Sequence, residues 1–384
     1  MKRKPILLTL GVAIAAIVLP VTLHSMITES EMASQVAGES VKPDNVITLK
    51  WTGNYGGIPP LDKIKVSDFK PALEIAMAEK LAEIEKIAIN PEPPTFENTI
   101  AALERSGKMY DRVLTIFGIW SSTMNTEDFQ AVETEMAPKL SEFDDKIVQN
   151  VKLFKKIEEL YNVRETSNLT PEQQRLVWND YTYFVSAGAK LDSDAKQKLS
   201  NINQELATLF TKFGQNLLAD ESNGMVVIKN EKDLSGLSAS MKSGYANAAK
   251  DRKLDGSWVI SNTRSSVEPF LTYSDNRELR EKVWNMFVNR GDNGDEHDNN
   301  KLITQILNLR KERAKLLGFK NHAEWRLQNS MAKTPERAME LMMSVWPAAI
   351  ARVKEEVADM QAVADKEGAK IKIEPWDYRY YAEK

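Results

Sequence analysis

The chain has 384 residues, of which 42% are hydrophobic and 28% are charged, as is typical of a globular protein. Its formal net charge of -4 argues against nucleic acid or an anionic membrane surface as the main partner. It contains no cysteine, which excludes disulfide frameworks, thiolate zinc sites and cysteine nucleophiles. The length suffices for two or three ordinary domains or for one large helical body.

Residues 1–25 are predicted to be a targeting segment. Lys2, Arg3 and Lys4 form a basic start, and an apolar run follows over 6–23. A signal peptide fits this pattern, although the run is long enough for an uncleaved membrane anchor, which would be the chain's only link to a membrane. We therefore expect an exported, periplasmic protein. Residues 26–50 are polar and aperiodic, which predicts a flexible tether.

From about residue 67 onward, apolar residues recur close to the 3.6-residue period of an α-helix. Helix starts are predicted at Ser67, Thr95, Thr126 and Thr170, the last because Pro171 occupies the first helical position. The helix from Thr95 is expected to continue past residue 103. A long amphipathic helix is predicted over 191–218.

One region departs from the helical pattern. Short β-branched runs at 225–228 and 257–261 predict two strands that flank a helix near 238–250. Helices are predicted again from 276, over 301–317, 321–330 and 335–367, and from Pro375. The predicted fold class is mainly α, a multi-helix body with a small β element near 225–261.

Several short motifs are more specific than this periodicity. In chain order they are Asn90-Pro91-Glu92-Pro93-Pro94-Thr95-Phe96-Glu97-Asn98, Asn216-Leu217-Leu218, Pro269-Phe270-Leu271, Asn276-Arg277-Glu278-Leu279-Arg280-Glu281, Asn289-Arg290-Gly291, Leu316-Leu317-Gly318-Phe319, Lys333-Thr334-Pro335-Glu336 and Pro375-Trp376-Asp377 with Tyr380-Tyr381. In this order and at these spacings they resemble the bacterial peptidyl-dipeptidase branch of the thimet oligopeptidase and oligopeptidase A family. The resemblance covers roughly residues 50–384.

The resemblance implies a zinc metallopeptidase that cleaves short peptides inside a deep channel between two mostly helical halves. Members of this branch release dipeptides from free C-termini. In the family the zinc site lies in the second half, on a helix bearing His-Glu-x-x-His, with a further Glu ligand downstream. Two histidines one helical turn apart face the same metal, and the Glu between them polarises the zinc-bound water.

This sequence departs from the family pattern because it contains no His-Glu-x-x-His. Its three histidines are His24, His297 and His322. In the family, the motif around Trp376 precedes the catalytic half. The helix that begins at Pro375 is followed by no Gly, Asn or Pro that would end it. We therefore expect residues 51–384 to be the helical N-terminal portion of the peptidase, inactive without the missing C-terminal catalytic half. No catalytic or zinc-binding residue can be assigned. The alternative is a non-catalytic helical module that binds peptides or a protein.

Five residues are candidates for lining a substrate channel. Trp376, Tyr380 and Tyr381 could contact a bound peptide, although aromatic residues that pack helices together are commoner. Arg277 and Arg280, one helical turn apart, could grip a substrate carboxylate, although salt bridges to nearby Glu residues are the simpler interpretation. His322 is interpreted as a structural histidine, and the acidic segment 292–298 as a solvated loop.

Overall fold

The computed structural model describes residues 45–54 and 57–384. The chain divides into two compact units: the first comprises the residues up to 212 together with 309–320, and the second comprises 213–308 and 321–384. The predicted targeting segment lies outside the described residues. So does most of the predicted tether, but Ile47 is fully buried in the core of the first unit, so the packed part of the chain begins before the predicted boundary at 50.

The first unit is mainly helical in its described part. A π-helical turn, Phe96–Ile100, runs directly into the second of its helices. The helices are α1 (Val66–Ala88), α2 (Ala101–Arg105), α3 (Lys108–Thr123), α4 (Glu127–Val148), α5 (Val151–Val163), α6 (Pro171–Ser186) and the first part of α7 (Ser193–Asn223), whose later part belongs to the second unit.

Local sequence signals explain where these helices begin. The Thr95 side chain accepts a hydrogen bond from Asn98 N, and Asn98 Oδ1 accepts one from Thr95 N, so the two residues form a capping box. Thr170 and Gln173 form the same arrangement ahead of α6. These predicted starts are confirmed.

The helix predicted to run from Thr95 past residue 103 is confirmed, but it is short. It ends at Arg105, and α3 begins at Lys108 after a break at Gly107, whose φ is +75°. Glycine adopts this left-handed conformation without the steric cost that a Cβ would add. A single glycine is compatible with a helix in sequence, which is why the apolar periodicity did not reveal the break.

Aromatic side chains fill the core of the first unit. Phe69 packs at 5.1 Å from Phe129 and 5.3 Å from Trp120, measured between ring centroids. A second cluster joins α5 to α6, where the Tyr161 and Tyr181 rings stack at 3.7 Å. Burial of such rings is the main favourable contribution to folding of a helical body.

The second unit carries the predicted β element. Strands β1 (Met225–Ile228) and β2 (Trp258–Ser261) pair antiparallel, with Met225 opposite Ser261 and Ile228 opposite Trp258. Its helices are the end of α7, α8 (Ala239–Asp251), α9 (Arg264–Tyr273), α10 (Arg277–Val288), the start of α11 (Asn300–Leu316), α12 (His322–Leu327), α13 (Pro335–Lys366) and α14 (Pro375–Glu383). The mainly helical fold class with one small sheet is confirmed.

The acidic loop at 292–298 is held at its start by a buried carboxylate. Asp220 Oδ2 accepts hydrogen bonds from Gly291 N at 2.6 Å and from Asn293 Nδ2 at 2.9 Å. Most of the loop beyond Asn293 is exposed. Within the described ranges, no helix is both long and apolar enough to cross a membrane.

Candidate functional site

The start of α14 places an aspartate inside the second unit. Glu374 is the N-cap, Pro375 takes the first helical position, and Asp377 takes the third. Asp377 Oδ2 accepts a hydrogen bond from Glu374 N at 3.2 Å, which is one half of a capping box. The Asp377 side chain is completely buried, so its charge needs partners from elsewhere in the fold.

Two arginines of α10 supply those partners. Arg277 and Arg280 lie three residues apart and therefore project from the same face of the helix. Arg277 Nε lies 3.1 Å from both Asp377 oxygens, and its Nη2 lies 2.8 Å from Oδ2. Arg280 Nη2 lies 2.8 Å from Oδ1. Asp377 is therefore clamped between two guanidinium groups, and the hydrogen bond to Asp377 raises the pKa of Arg277.

The two arginines differ in burial. The Arg280 side chain is only 2% exposed, whereas that of Arg277 is 35% exposed. Arg280 also donates from Nη1 to the Ser274 carbonyl at 2.8 Å and from Nε to the Trp376 carbonyl at 3.3 Å. Each of its three nitrogens thus has an acceptor, as a buried guanidinium requires.

Aromatic rings surround this clamp. The Arg280 guanidinium carbon lies 4.0 Å from the centroid of the Tyr380 ring, which is a cation–π contact. The Tyr380 hydroxyl donates to Asp275 Oδ1 at 2.9 Å. Trp376 meets Trp284 edge to face at 5.7 Å. We call Arg277, Arg280, Asp377, Tyr380 and Trp376 the Asp377 cluster.

Asp275 connects this cluster to the segment between β1 and α8. Its Oδ2 accepts a hydrogen bond from Ser235 Oγ at 2.6 Å, and its Oδ1 accepts the one from Tyr380. These bonds, with Ser235 contributing most, hold the pKa of Asp275 below its usual value. Asp275 is therefore a fixed anion that orients the Tyr380 ring.

The five residues predicted to line a channel are brought close together. Four of them belong to the Asp377 cluster, and Tyr381 packs beside it against Met360 and Ala364 of α13. Both arginines bind the buried carboxylate of Asp377, and not a nearby Glu as the simpler interpretation of the sequence had it. A substrate carboxylate would have to compete with that of Asp377. Contact of these residues with a bound peptide stays a prediction.

Sequence reasoning missed three residues of this site: Asp377 as the central anion, Asp275 and Trp284. Asp377 three residues after Glu374 was recognisable as part of a helix start. Its pairing with arginines about 100 residues earlier in the chain has no local signal.

The residues described here do not fit the zinc ion that the resemblance implies. His322 is the first residue of α12, and its ring lies 5.4 Å from that of Trp325. His297 lies in the acidic loop, with Nε2 3.7 Å from Glu296. Over residues 45–54 and 57–384, no group of three His, Asp or Glu side chains could hold a metal. We therefore derive no reaction step through zinc.

Comparison with known proteins gives the family that this chain resembles. Residues 270–384, which include the whole Asp377 cluster, match peptidase family M3. The chain is 36% identical to the dipeptidyl carboxypeptidase of Escherichia coli over 85% of its own length and 48% of that protein. The chain therefore resembles peptidase family M3. The predicted resemblance to the thimet oligopeptidase and oligopeptidase A family is thereby confirmed.

Two further relatives support this assignment. The dipeptidyl carboxypeptidase of Salmonella typhimurium is 33% identical, and the oligopeptidase A of Escherichia coli is 27% identical, each over 85% of this chain. In both cases the match covers 48% of the relative. The chain thus spans about half the length of the curated relatives that it matches.

Proposed function

We propose that this chain is part of a peptide-hydrolysing enzyme that releases dipeptides from free C-termini with the aid of zinc. The observation that carries the proposal is the 36% identity to a dipeptidyl carboxypeptidase over 85% of the chain. Zinc dependence rests on the family resemblance alone. In this proposal short peptides are the substrates, and residues 1–25 direct the protein to the periplasm.

The proposed division of labour follows from the side chains that the chain offers. Its sequence contains no His-Glu-x-x-His, so the metal ligands would come from polypeptide outside these 384 residues. The chain would contribute a helical scaffold and surfaces for peptide binding. The Asp377 cluster serves that role by fixing α14 to α10 through a buried, multiply hydrogen-bonded ion pair.

A chimeric enzyme tests this proposal. This chain replaces the region that it matches in the E. coli dipeptidyl carboxypeptidase, and the remaining half of that enzyme is kept. We expect the chimera to release dipeptides from a peptide with a free C-terminus and to spare the same peptide when its C-terminus is amidated. Mass spectrometry of the products measures both. A chimera that folds, binds zinc and cleaves neither peptide contradicts the proposal.

The second candidate is a non-catalytic helical module that binds peptides or a protein. The observation that favours it is a large exposed apolar surface on α13, where Trp346 is 59% exposed. Such a module would not need to restore hydrolysis in the chimera, so the same assay separates the two candidates.

A further inference from the structure

One face of α13 carries an exposed row of large apolar side chains. They recur at spacings of three and four residues, which places them on a single stripe about 100° wide along the helix. The stripe consists of Met339, Met342, Met343, Trp346, Ile350 and Val353, which are between 37% and 59% exposed. Soluble proteins seldom leave so continuous an apolar row in water unless something binds it.

The same stripe continues into the part of α13 that is already covered. Val357, Met360 and Ala364 extend it by the same spacing, and they pack against Ile373 and Tyr381. The C-terminal part of the stripe is therefore buried by α14 and the segment before it, whereas the N-terminal part has no covering element among the described residues. Both parts have the chemistry of a helix–helix interface.

A groove marks the point where the covered part meets the open part. It has a volume of about 750 Å³ and lies between α13, α14, α9 and α10. It is lined by Val353 and Val357 of α13, by Tyr378 and Ala382 of α14, and by Trp284 of α10. An apolar helix laid along the open stripe would reach this groove with its end.

We propose that the open stripe of α13, which is the exposed row from Met339 to Val353, binds an amphipathic helix. This helix would come from the part of an M3 peptidase that this chain does not match. This inference rests on the proposed function and names the partner surface that it requires. The relatives contain about as many residues again as the chain covers, so they carry polypeptide enough to supply such a helix. Three of the six stripe residues are methionines, whose flexible side chains adapt to the shape of a partner.

A second copy of the chain is a poorer fit for this surface. Two antiparallel stripes would bury six side chains from each copy, whereas stable interfaces use roughly 20–30 residues a side. The stripe is therefore too small to hold a dimer together by itself, and it fits better as one part of a larger interface.

Because the chain has no cysteine, single cysteines can report on this surface. Met342→Cys places a thiol on the stripe. Leu341→Cys is the matched control, because Leu341 is 69% exposed against 54% for Met342 and lies off the stripe, about 100° around the helix from Met342. The alkylation rate of each thiol is measured by peptide mass mapping, in the chain alone and in the chimera with the remaining half of the E. coli enzyme.

In the chain alone we expect both thiols to react at similar rates. In the chimera the Met342→Cys thiol should react at least about tenfold more slowly, with little change at Leu341→Cys, since only the stripe is covered. An unchanged rate at Met342→Cys, or equal slowing at both positions, overturns the inference. So does concentration-dependent protection in the chain alone, which would indicate a dimer.

The alkylation rates do not depend on catalysis, so the two proposals fail separately. A chimera that cleaves peptides while Met342→Cys stays reactive retains the proposed function and refutes the stripe. A chimera that cleaves no peptide but protects the Met342→Cys thiol supports the stripe and refutes the proposed function.

Discussion

The two arginines of the Asp377 cluster share one carboxylate but differ in what their loss would leave behind. Arg280 is almost fully buried and bonds two backbone carbonyls besides Asp377, whereas Arg277 reaches solvent. Removing one member of a buried ion pair is costly because the remaining groups lose their partner without regaining water.

We therefore expect Arg280→Met to lower the free energy of unfolding by about 3 kcal/mol or more. Arg277→Met, the matched control, should cost about 1 kcal/mol, because Arg280 still neutralises Asp377 and water reaches the vacated position. Chemical denaturation of both variants measures the difference. Equal losses, or a larger loss for Arg277→Met, would show that the cluster is not organised around its buried arginine.

Asp180 is a buried acid on the packed face of α6. It lies between Val177 and Phe184 on the same helical stripe, and its Oδ2 has no hydrogen-bond partner among the described residues. Burial, reinforced by the negative charge of Glu104, raises its pKa to about 7. The folded chain therefore holds a proton on Asp180 at pH values where the unfolded chain has released it.

The sign of the pH dependence follows from this shift. Asp180 favours folding below its unfolded pKa of 3.8, and that contribution is lost as the pH rises through about 7. We expect Asp180→Asn to be more stable than the parent at pH 8, by on the order of 2–4 kcal/mol, with the gain shrinking towards pH 4. Thermal unfolding at several pH values tests this. A variant whose advantage does not vary with pH contradicts the assignment.

Among the secondary-structure elements, the sequence predicted the helix starts and strands that depend on interactions between residues close together in the chain. The capping residues at Thr95 and Thr170 located two helix starts, and the β-branched runs located both strands, because these signals act within a few residues. The break at Gly107 was missed because a glycine's φ is not visible in a hydrophobic pattern. The Asp377 cluster was missed as a unit because its members meet only through tertiary packing.

Two glycines at the start and middle of α3 provide a paired test. Gly107 has a φ of +75°, so Gly107→Ala should destabilise the chain by about 1 kcal/mol, mainly through the left-handed backbone. Gly118 lies inside the helix, and an added Cβ would meet nothing within 4 Å, so Gly118→Ala should stabilise it by about 0.5–1 kcal/mol. If thermal unfolding shows that both substitutions stabilise the chain, or that both destabilise it, the proposed role of Gly107 in ending the helix is contradicted.

For the whole molecule, the ordered set of short motifs predicted, without any structural information, the family that the comparisons also indicate. The absence of His-Glu-x-x-His from the sequence prevented assignment of catalytic residues, and the described residues offer no alternative metal site. The open stripe of α13 could not be found from sequence, because an apolar helical face has the same pattern whether it is covered or exposed. Only the fold reveals which part of that stripe lacks a covering element.

The central proposal is that these 384 residues supply a helical part of a peptide-hydrolysing enzyme and do not themselves hold its zinc ion. Elemental analysis of the purified chain after equilibration with zinc and removal of excess metal tests it most directly. We predict zinc well below one ion per chain, and no chelator-sensitive cleavage of a short peptide by the same sample. One tightly held zinc per chain, accompanied by such cleavage, would contradict the account.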